Sequence, residues 1–311
     1  MKKTAKALLF SLSTIGLFSC ATNVVEPTTH EKVAELQVVT WNVEHLAYPI
    51  DTGCKPRTPE EITQLQAYAN SLNADIVALQ EVDSLEAVSL LFPSEQWQIV
   101  MSDRKDSESF VCRGSGNESS QLKVAYAVKK PLQVTSIKPL AELGLDSPGL
   151  RYGLEIEVNS ELGTVSLLNV HLKSGCFVDN LRRSDREACE TLVKQAPVLD
   201  GWIGQKEQQG QPYIVLGDFN HRLTAPYNQL LRELSTDSQG NKRSLLNTGA
   251  PLIGCHPYYP APIDHVFIGN FDLNSVDYLT TIEPFEDMQV EAMLSDHCAV
   301  KTNLKQTISL P

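Results

Sequence analysis

The sequence predicts a single α/β domain, because strand-like and helix-like segments mix from end to end of the 311-residue chain. Apolar runs such as IVAL at 76–79 and YIVLG at 213–217 are continuous, which is typical of strands buried on both faces. The run at 298–304 alternates instead, with Val300 and Leu304 on one face. Together the two patterns favour a mixed sheet covered by helices.

The individual elements follow from the same periodicities. Strands are predicted at 36–42, 75–80, 97–101, 122–129, 151–158, 164–171, 213–218, 263–269 and 298–304. Helices are predicted at 59–72, 84–91, 184–206 and 226–234. The first helix has the clearest start, since Thr58 can cap it and Pro59 fits its first position.

The N-terminus is predicted to be a leader, with residues 1–19 forming a secretory signal. Three lysines precede a short apolar stretch there, too short to span a membrane. The stretch ends in LFSC, which is similar to a bacterial lipobox, so Cys20 is the predicted lipidation site; ordinary cleavage to a soluble secreted product is the alternative. Residues 20–33 are expected to form a flexible tether, 34–305 the domain and 306–311 a short tail. We therefore expect a lipid-anchored monomer in the bacterial cell envelope.

The charge balance argues against one class of protein. The formal net charge is −12, and loss of the three leader lysines would make it −15. A protein that holds nucleic acid through an extended basic face would carry the opposite sign. An acidic cleft for divalent cations is the simpler interpretation. A local cluster of arginines could still guide a phosphate substrate, although such clusters are more often solvated surface; its members are Arg182, Arg183 and Arg186.

Six cysteines remain beyond Cys20, an even number that suits an oxidising compartment. Cys176 with Cys189 is the first predicted pair, because both flank one loop. Cys54 with Cys112 is the second, since both lie in loops with glycine and charged residues. The sequence leaves open whether Cys255 pairs with Cys298 or whether Cys298 is a free thiol in the core.

Polar residues stand at the ends of several strand-like runs. Some follow their runs, namely Asn42, Glu81, His171, Asp218 and Asn220. Others precede theirs, namely Asp264, Asp296 and His297. Because the end of one antiparallel strand lies beside the start of the next, a mixed sheet would bring both groups to one edge. The sequence therefore predicts one site.

The motifs WN, QE, HLKSG, GDFN, a single late Asp and SDH, in this order, resemble the endonuclease/exonuclease/phosphatase superfamily. The resemblance runs from about residue 36 to residue 304. It implies a four-layered α/β sandwich, in which two mixed β-sheets pack face to face with helices outside. It also implies hydrolysis of a phosphoester bond with Mg²⁺, Mn²⁺ or Ca²⁺ as cofactor, and DNA or RNA as a possible substrate.

The resemblance assigns a role to each residue at the strand ends. Metal ligands are expected among Asn42, Glu81 and Asp296. His297 resembles the general base, and Asp264 would hold its other ring nitrogen, which suits proton abstraction near neutral pH. Asp218 would position the attacking water, Asn220 would donate to the phosphate, and His171 would support the phosphate or the leaving group.

Further phosphate contacts are predicted at Lys173, Arg222 and Arg151, with a surface position as the alternative for the two arginines. His265 should point away from the site, because it neighbours Asp264 on a strand.

Two alternatives to a nuclease remain. One is a phosphatase or lipid-headgroup phosphodiesterase, although the inositol 5-phosphatases' string of Trp, Cys, Asp and Arg before the late Asp is replaced by APIDH at 261–265. The other is a non-catalytic surface binding module.

Overall fold

A computed structural model describes residues 30–310 of the chain. The predicted signal, Cys20 and most of the tether lie outside these described residues. Within them the strands are β1 (His30–Leu46), β2 (Ile76–Val82), β3 (Trp97–Met101), β4 (Phe110–Val111), β5 (Glu118–Ser119), β6 (Lys123–Lys129), β7 (Gln133–Leu140), β8 (Gly153–Ser160), β9 (Gly163–His171), β10 (Tyr213–Asp218), β11 (Leu246–Asn247), β12 (Asp264–Gly269), β13 (Val276–Glu283) and β14 (Ala299–Leu310). The α-helices are α1 (Pro59–Ser71), α2 (Leu85–Leu91), α3 (Glu187–Gln209) and α4 (Gln229–Ser235).

Two six-stranded mixed sheets form the body of the molecule. The first has the order β13-β14-β1-β2-β6-β3, and the second has the order β11-β12-β10-β9-β8-β7. Each sheet has one parallel pair near its centre, β1 with β2 and β9 with β10, while all other pairings are antiparallel. The carboxyl ends of a parallel pair lie side by side, so each sheet presents two strand ends at one edge.

Three apolar clusters separate four layers. The central cluster lies between the sheets and contains residues such as Val38, Ile76, Leu167 and Ile214. A second cluster packs α1 and α2 on the outer face of the first sheet, and a third packs α3 and α4 on the outer face of the second. The predicted four-layered α/β sandwich is confirmed. None of the helices within residues 30–310 is both long and apolar enough to cross a membrane.

The differences from the predicted elements are concentrated at sheet edges. β7 and β13, which the sequence did not reveal, are edge strands in which few residues are buried, so their apolar pattern is weak. β1 begins at His30 and β14 runs to Leu310, because residues 30–40 of β1 pair with residues 300–310 of β14. The paired strands therefore extend beyond the predicted domain limits of 34 and 305, and the predicted tail is largely strand.

Three disulfides link loops around one end of the sandwich. The predicted pairs Cys54–Cys112 and Cys176–Cys189 are confirmed. Cys255 is bonded to Cys298, which settles the alternative that the sequence left open.

Gly217 makes a close approach possible between the two central strands of the second sheet. Its φ is +146°, and a Cβ placed there would lie 2.0 Å from the carbonyl oxygen of Val170 on β9. Backbone atoms cannot move aside as a side chain would, so any larger residue must push β9 and β10 apart.

We expect Gly217→Ala to lower the free energy of unfolding by about 3 kcal/mol, in the range of severe backbone clashes. Urea unfolding followed by tryptophan fluorescence measures the change. Gly114→Ala is the matched control, because a Cβ at Gly114 meets nothing within 4 Å and should change stability by less than about 0.5 kcal/mol. Equal stabilities of the two variants would contradict the clash.

Candidate active site

The predicted site residues converge at the edge where the central strands of both sheets end. His171 and Asp218 are the last residues of β9 and β10 and lie opposite each other in the parallel register. Asp264, the first residue of β12, lies opposite Asp218 in the antiparallel register. Asn42 on β1 reaches across from the first sheet, and its Nδ2 donates to Asp218 Oδ2 at 3.1 Å. The edge therefore holds one polar cluster built from both sheets.

Strand periodicity explains why these side chains face each other. Along β10, Ile214 and Leu216 point into the core between the sheets, and Asp218 continues that face. The same alternation carries Asn42, His171 and Asp264 to the inter-sheet side of their strands. The polar residues are thus the ends of apolar rows, placed where the core meets solvent.

Glu81 departs from this alternation through a local irregularity. Its φ is +62°, and the pairing register of β2 shifts on both sides around it. Its carboxylate then lies at the site edge, with Oε2 accepting a hydrogen bond from His45 N at 3.3 Å and Oε1 3.8 Å from His171 Nε2. A strained backbone at a polar, half-buried residue is a common feature of functional sites.

The His297–Asp264 pair has the geometry of a base and its orienting acid. His297 Nδ1 lies 2.7 Å from Asp264 Oδ2, and Nε2 is directed toward Asp218 Oδ2 at 3.9 Å. The pKa of His297 is raised well above its usual value: burial lowers it, but the charges of Asp264 and Asp218 outweigh burial. The ring is also fixed from the backbone, since Ser295 Oγ accepts from His297 N and donates to Asn42 O.

Asp218 is a buried carboxylate that accepts hydrogen bonds from several donors. Burial raises its pKa to about 7, against the lowering effects of His297 and of the bonds from Asn220 and Asn42. The backbone turns at Asn220, whose φ is +51° and whose N–H donates to Asp218 Oδ1 at 2.7 Å. Its Nδ2 donates to Asp218 Oδ2 and Leu172 O, so Asn220 positions Asp218, and donation to the phosphate stays a prediction.

His171 occupies the floor of the cluster and is almost fully buried. Its Nε2 lies 3.4 Å from Asp218 Oδ2. Burial lowers the pKa of His171 well below its usual value, and the positive charge of Arg151 lowers it further. The ring is therefore neutral at physiological pH. Its Nδ1 is buried and has no hydrogen-bond partner among the described residues.

The compact ligand group in the structure differs from the predicted metal set. Among the described histidines and acids, the residues whose ligand atoms all lie within 4.8 Å of one another are Asp218, Asp264 and His297. Asp296 stands at the rim, with a side chain that is 56% exposed and an Oδ1 that lies 3.8 Å from His297 Nε2. The geometry thus places Asp296 outside the compact group, and its role as a second metal contact or as a hydrogen-bonding support of the site stays a prediction.

The three predicted phosphate contacts differ in position. Arg151 is half-buried, and burial lowers its pKa. Glu81 and Asp218 are close enough for their charges to act on this pKa in the opposite direction. Arg222 is exposed, and its guanidinium carbon lies 5.8 Å from the ring centre of Phe177. Lys173 is half-exposed beside the cluster. Arg151 is thus the cation closest to the core of the site.

Two further predictions concern His265 and the arginine cluster around the site. His265 faces the helices, where its Nε2 lies 3.0 Å from His221 O and 3.2 Å from Leu223 N, as the alternation predicted. The arginine cluster at 182–186 is exposed, and Arg182 pairs with Glu233 at 3.2 Å. That cluster therefore lies on solvated surface.

Sequence reasoning missed a support next to Asn42. Glu44 accepts hydrogen bonds at its carboxylate from Lys55 and, at 2.8 Å, from the backbone N–H of Asp296. Arg57 is buried and donates to the carbonyls of Glu44 and Leu294. These contacts join the end of β1 to the loop that carries His297. Glu44, an acid two residues after Asn42, could have been recognised from the sequence. Nothing in the sequence around Arg57 indicated that this residue is buried.

Comparison with known proteins agrees with this geometry. Residues 39–297 match the model of the Endonuclease/Exonuclease/phosphatase family. No curated protein matches the chain significantly at the sequence level.

Three solved structures illustrate the fold. TDP2 from D. rerio in complex with a single-strand DNA product is 14% identical, with 87% of this chain and 98% of that chain covered and a TM-score of 0.60. The human Nocturnin catalytic domain with a bound sulfate is 13% identical, with 89% and 96% covered and a TM-score of 0.56. A Bacteroides vulgatus endonuclease/exonuclease/phosphatase is 17% identical, with 88% and 99% covered and a TM-score of 0.57. At these identities the likeness shows the fold. Together with the family match over most of its length, it shows that the chain belongs to the endonuclease/exonuclease/phosphatase family of phosphoester hydrolases.

Proposed function

We propose that the protein is a divalent-metal-dependent phosphodiesterase of the endonuclease type, acting outside the cytoplasm. One observation carries the proposal. A histidine held by a carboxylate, His297 with Asp264, faces a second buried carboxylate, Asp218, at the mouth of the inter-sheet core. General-base catalysis needs such an oriented imidazole, and phosphoester chemistry needs charge stabilisation beside it.

The residues present suit a hard divalent ion. Among the described residues, no lysine or arginine nitrogen lies within 4.0 Å of the carboxylates of Glu81, Asp218 or Asp264. Asp264 Oδ1 is also buried and without a partner. A buried carboxylate oxygen without a partner is costly, and oxygen ligands are those that Mg²⁺, Mn²⁺ and Ca²⁺ prefer. Glu81 and Asp218 would hold the ion; when bound, it would offset negative charge on the phosphate.

His297 is the proposed base. In the neutral form of the ring, with Nδ1–H donating to Asp264, the lone pair of Nε2 can accept a proton from the attacking water. Asp264 and Asp218 stabilise the imidazolium that results, which is the physical meaning of the raised pKa. Asn42 and Asn220 hold the Asp218 carboxylate in place through their donors.

Arg151 and Lys173 are the proposed cations for the phosphate oxygens, since Arg151 is close enough to Glu81 and Asp218 for their charges to act on its pKa and Lys173 lies two residues after His171. His171 stays neutral and can offer one ring N–H to an oxygen of the phosphate or leaving group.

A second candidate function is hydrolysis of small or lipid-linked phosphoesters. The net charge of −12 favours it over a long polyanion. Parallel assays with plasmid DNA, RNA, inositol phosphates and sphingomyelin would decide between the two classes.

The third possibility, a non-catalytic binding module, predicts no turnover of any phosphoester. The base, its acid and the carboxylates are all present and mutually oriented, which argues for an enzyme. A divalent-ion titration by calorimetry adds an independent readout, because a binding module without chemistry has no need of the ion.

We also propose lipid anchoring at Cys20 and a location in the cell envelope. The three disulfides support an oxidising compartment, since such bonds seldom persist in the cytosol. Incorporation of labelled palmitate into the wild-type protein, and its loss in Cys20→Ser, would test the anchor. Label retained by the variant would contradict it.

Removal of the acid or the base should abolish most of the activity. We expect Glu81→Gln and His297→Ala each to lower the rate of bis-p-nitrophenyl phosphate hydrolysis at least about a hundredfold. EDTA should abolish the wild-type rate, and Mg²⁺ or Mn²⁺ should restore it. Glu95→Gln, at an exposed acid far along the chain from the motifs, is the control and should retain full activity. Wild-type rates in both site variants, or activity that survives EDTA, would overturn the proposal.

The pairing of His297 should also appear in stability as a function of pH. A histidine whose folded pKa is raised stabilises the fold fully below its unfolded value of about 6.5, and this contribution is lost as pH rises through the folded pKa. In EDTA, we therefore expect the excess melting temperature of the wild type over His297→Gln to be largest near pH 6 and to shrink as the pH rises. Scanning fluorimetry measures the difference, with His256→Gln as a control at a half-exposed histidine. A difference that grows toward high pH would contradict the ion pair.

A further inference from the structure

A cavity of about 390 Å³ opens directly beside the proposed base. His297, Asp264 and Asn220 form the part of its lining that belongs to the site, and most of the rest comes from loops, with Ile282 and Val300 added by β13 and β14. A group attached to a phosphate in the site could therefore enter the cavity without leaving the reacting centre. The residues that line this cavity are therefore placed to distinguish one substrate from another.

Away from His297, Asp264 and Asn220, the lining is mainly aromatic and aliphatic, with Arg222, His256 and Asp296 as its polar side chains. Phe177 and Tyr259 contribute rings, while Ile263, Ile282 and Val300 contribute aliphatic surface. Phe177 is 49% exposed and Tyr259 is 70% exposed, so much of each ring is open to a ligand. Aromatic rings left open beside a catalytic centre are suited to stacking on a planar group.

Both loops are fixed to the scaffold by disulfides. Phe177 follows Cys176, which is bonded to Cys189 in α3. The loop that carries Tyr259 is tied by Cys255 to Cys298, the residue directly after His297. The same loop is closed by a backbone hydrogen bond of 2.7 Å from Gly254 N to Pro260 O. Rings held in place before binding lose little entropy when a ligand arrives.

Arg222 adds a positive charge to the same cavity. Its guanidinium carbon lies 5.8 Å from the centre of the Phe177 ring, a cation–π distance, and its side chain lines the cavity. The guanidinium can donate to a phosphate oxygen or to the carbonyl edge of a heterocycle. The cavity thus combines a stacking surface with a donor.

Size and lining together narrow the ligand. The volume accommodates one ring system with its sugar, at the lower end of small-molecule sites. Beyond the catalytic residues, the polar side chains that the lining offers to a polyhydroxylated ring such as inositol are Arg222, His256 and Asp296, fewer than its hydroxyls would need. A nucleobase has two π faces and hydrogen-bonding edges that match the rings and the arginine.

We propose that this cavity holds the base of a nucleotide next to the scissile phosphate, and that Phe177 and Tyr259 determine that specificity. The inference rests on the proposed phosphodiesterase function, because it takes the phosphate to lie at His297. It goes further in two ways. It assigns the substrate to nucleotides, and it places substrate selection in two disulfide-anchored loops outside the sequence motifs.

Two probes that differ only in the base provide the test. Calorimetry in Ca²⁺ would compare thymidine 5′-monophosphate with 2-deoxyribose 5-phosphate. We expect the wild type to bind the nucleotide about tenfold to a hundredfold more tightly, the range expected for one stacked base. Phe177→Ala and Tyr259→Ala should each reduce this ratio by about tenfold or more, whereas Tyr259→Phe should keep it because the ring remains.

Tyr258→Ala is the matched control, since Tyr258 neighbours Tyr259, is 71% exposed and does not line the cavity. It should leave the ratio unchanged. Equal affinity of the wild type for the two probes, or a nucleotide preference that survives in both alanine variants, would overturn the pocket assignment. Hydrolysis of methyl p-nitrophenyl phosphate by the wild type reports on the phosphodiesterase separately, so failure of the pocket and failure of the function are distinguishable.

Discussion

A buried hydrogen-bond network between the two sheets fixes their alignment, and the site depends on it. Asn169 on β9 donates from Nδ2 to the carbonyls of Leu79 and Ala125 in the opposite sheet, and Gln80 Nε2 donates to Asn169 Oδ1 at 2.8 Å. Asn169 and Gln80 are fully buried in an otherwise apolar interface. An unpaired amide there would cost about 1–3 kcal/mol, so the sheets are stable in one alignment in which every partner meets.

That alignment determines which residues lie at the edge of the core. Asn169 lies two residues before His171, and Gln80 lies one before Glu81, so the network places these two ends beside each other. The parallel pairs at the sheet centres then supply two strand ends each. The result is a cluster in which burial raises the pKa of Asp218, His297 partly offsets the negative charge, and the carboxylate oxygens suit a divalent ion.

Chemistry and selection are carried by different parts of the chain. The cluster is built on strands, which hold side chains rigidly. The adjoining cavity is built from loops, and disulfides give those loops the rigidity that they lack by themselves. This division suits a family whose members share a catalytic centre and differ in what they bind. Stacking on a base does not by itself call for an extended basic face, so the negative net charge is compatible with the proposed nucleotide substrate.

The sequence by itself determined the α/β class, the central strands and the polar residues at one sheet edge, because period-2 apolar rows ending in polar residues fix both the strand and the face that its last side chain takes. The four-layered sandwich and the role of each site residue followed from the resemblance of the motifs to the superfamily. It also determined two disulfides and the exclusion of His265. Only the tertiary structure decided that Asn220 turns back onto Asp218, that a backbone irregularity redirects Glu81, and that Asp296 stays at the rim. It likewise decided that Cys255 pairs with Cys298 and that Arg57 is buried against the end of β1. The physical reason is that local patterning encodes which face a residue takes, whereas a bulge, a positive φ or a contact between distant loops is set by partners that no short stretch of sequence contains.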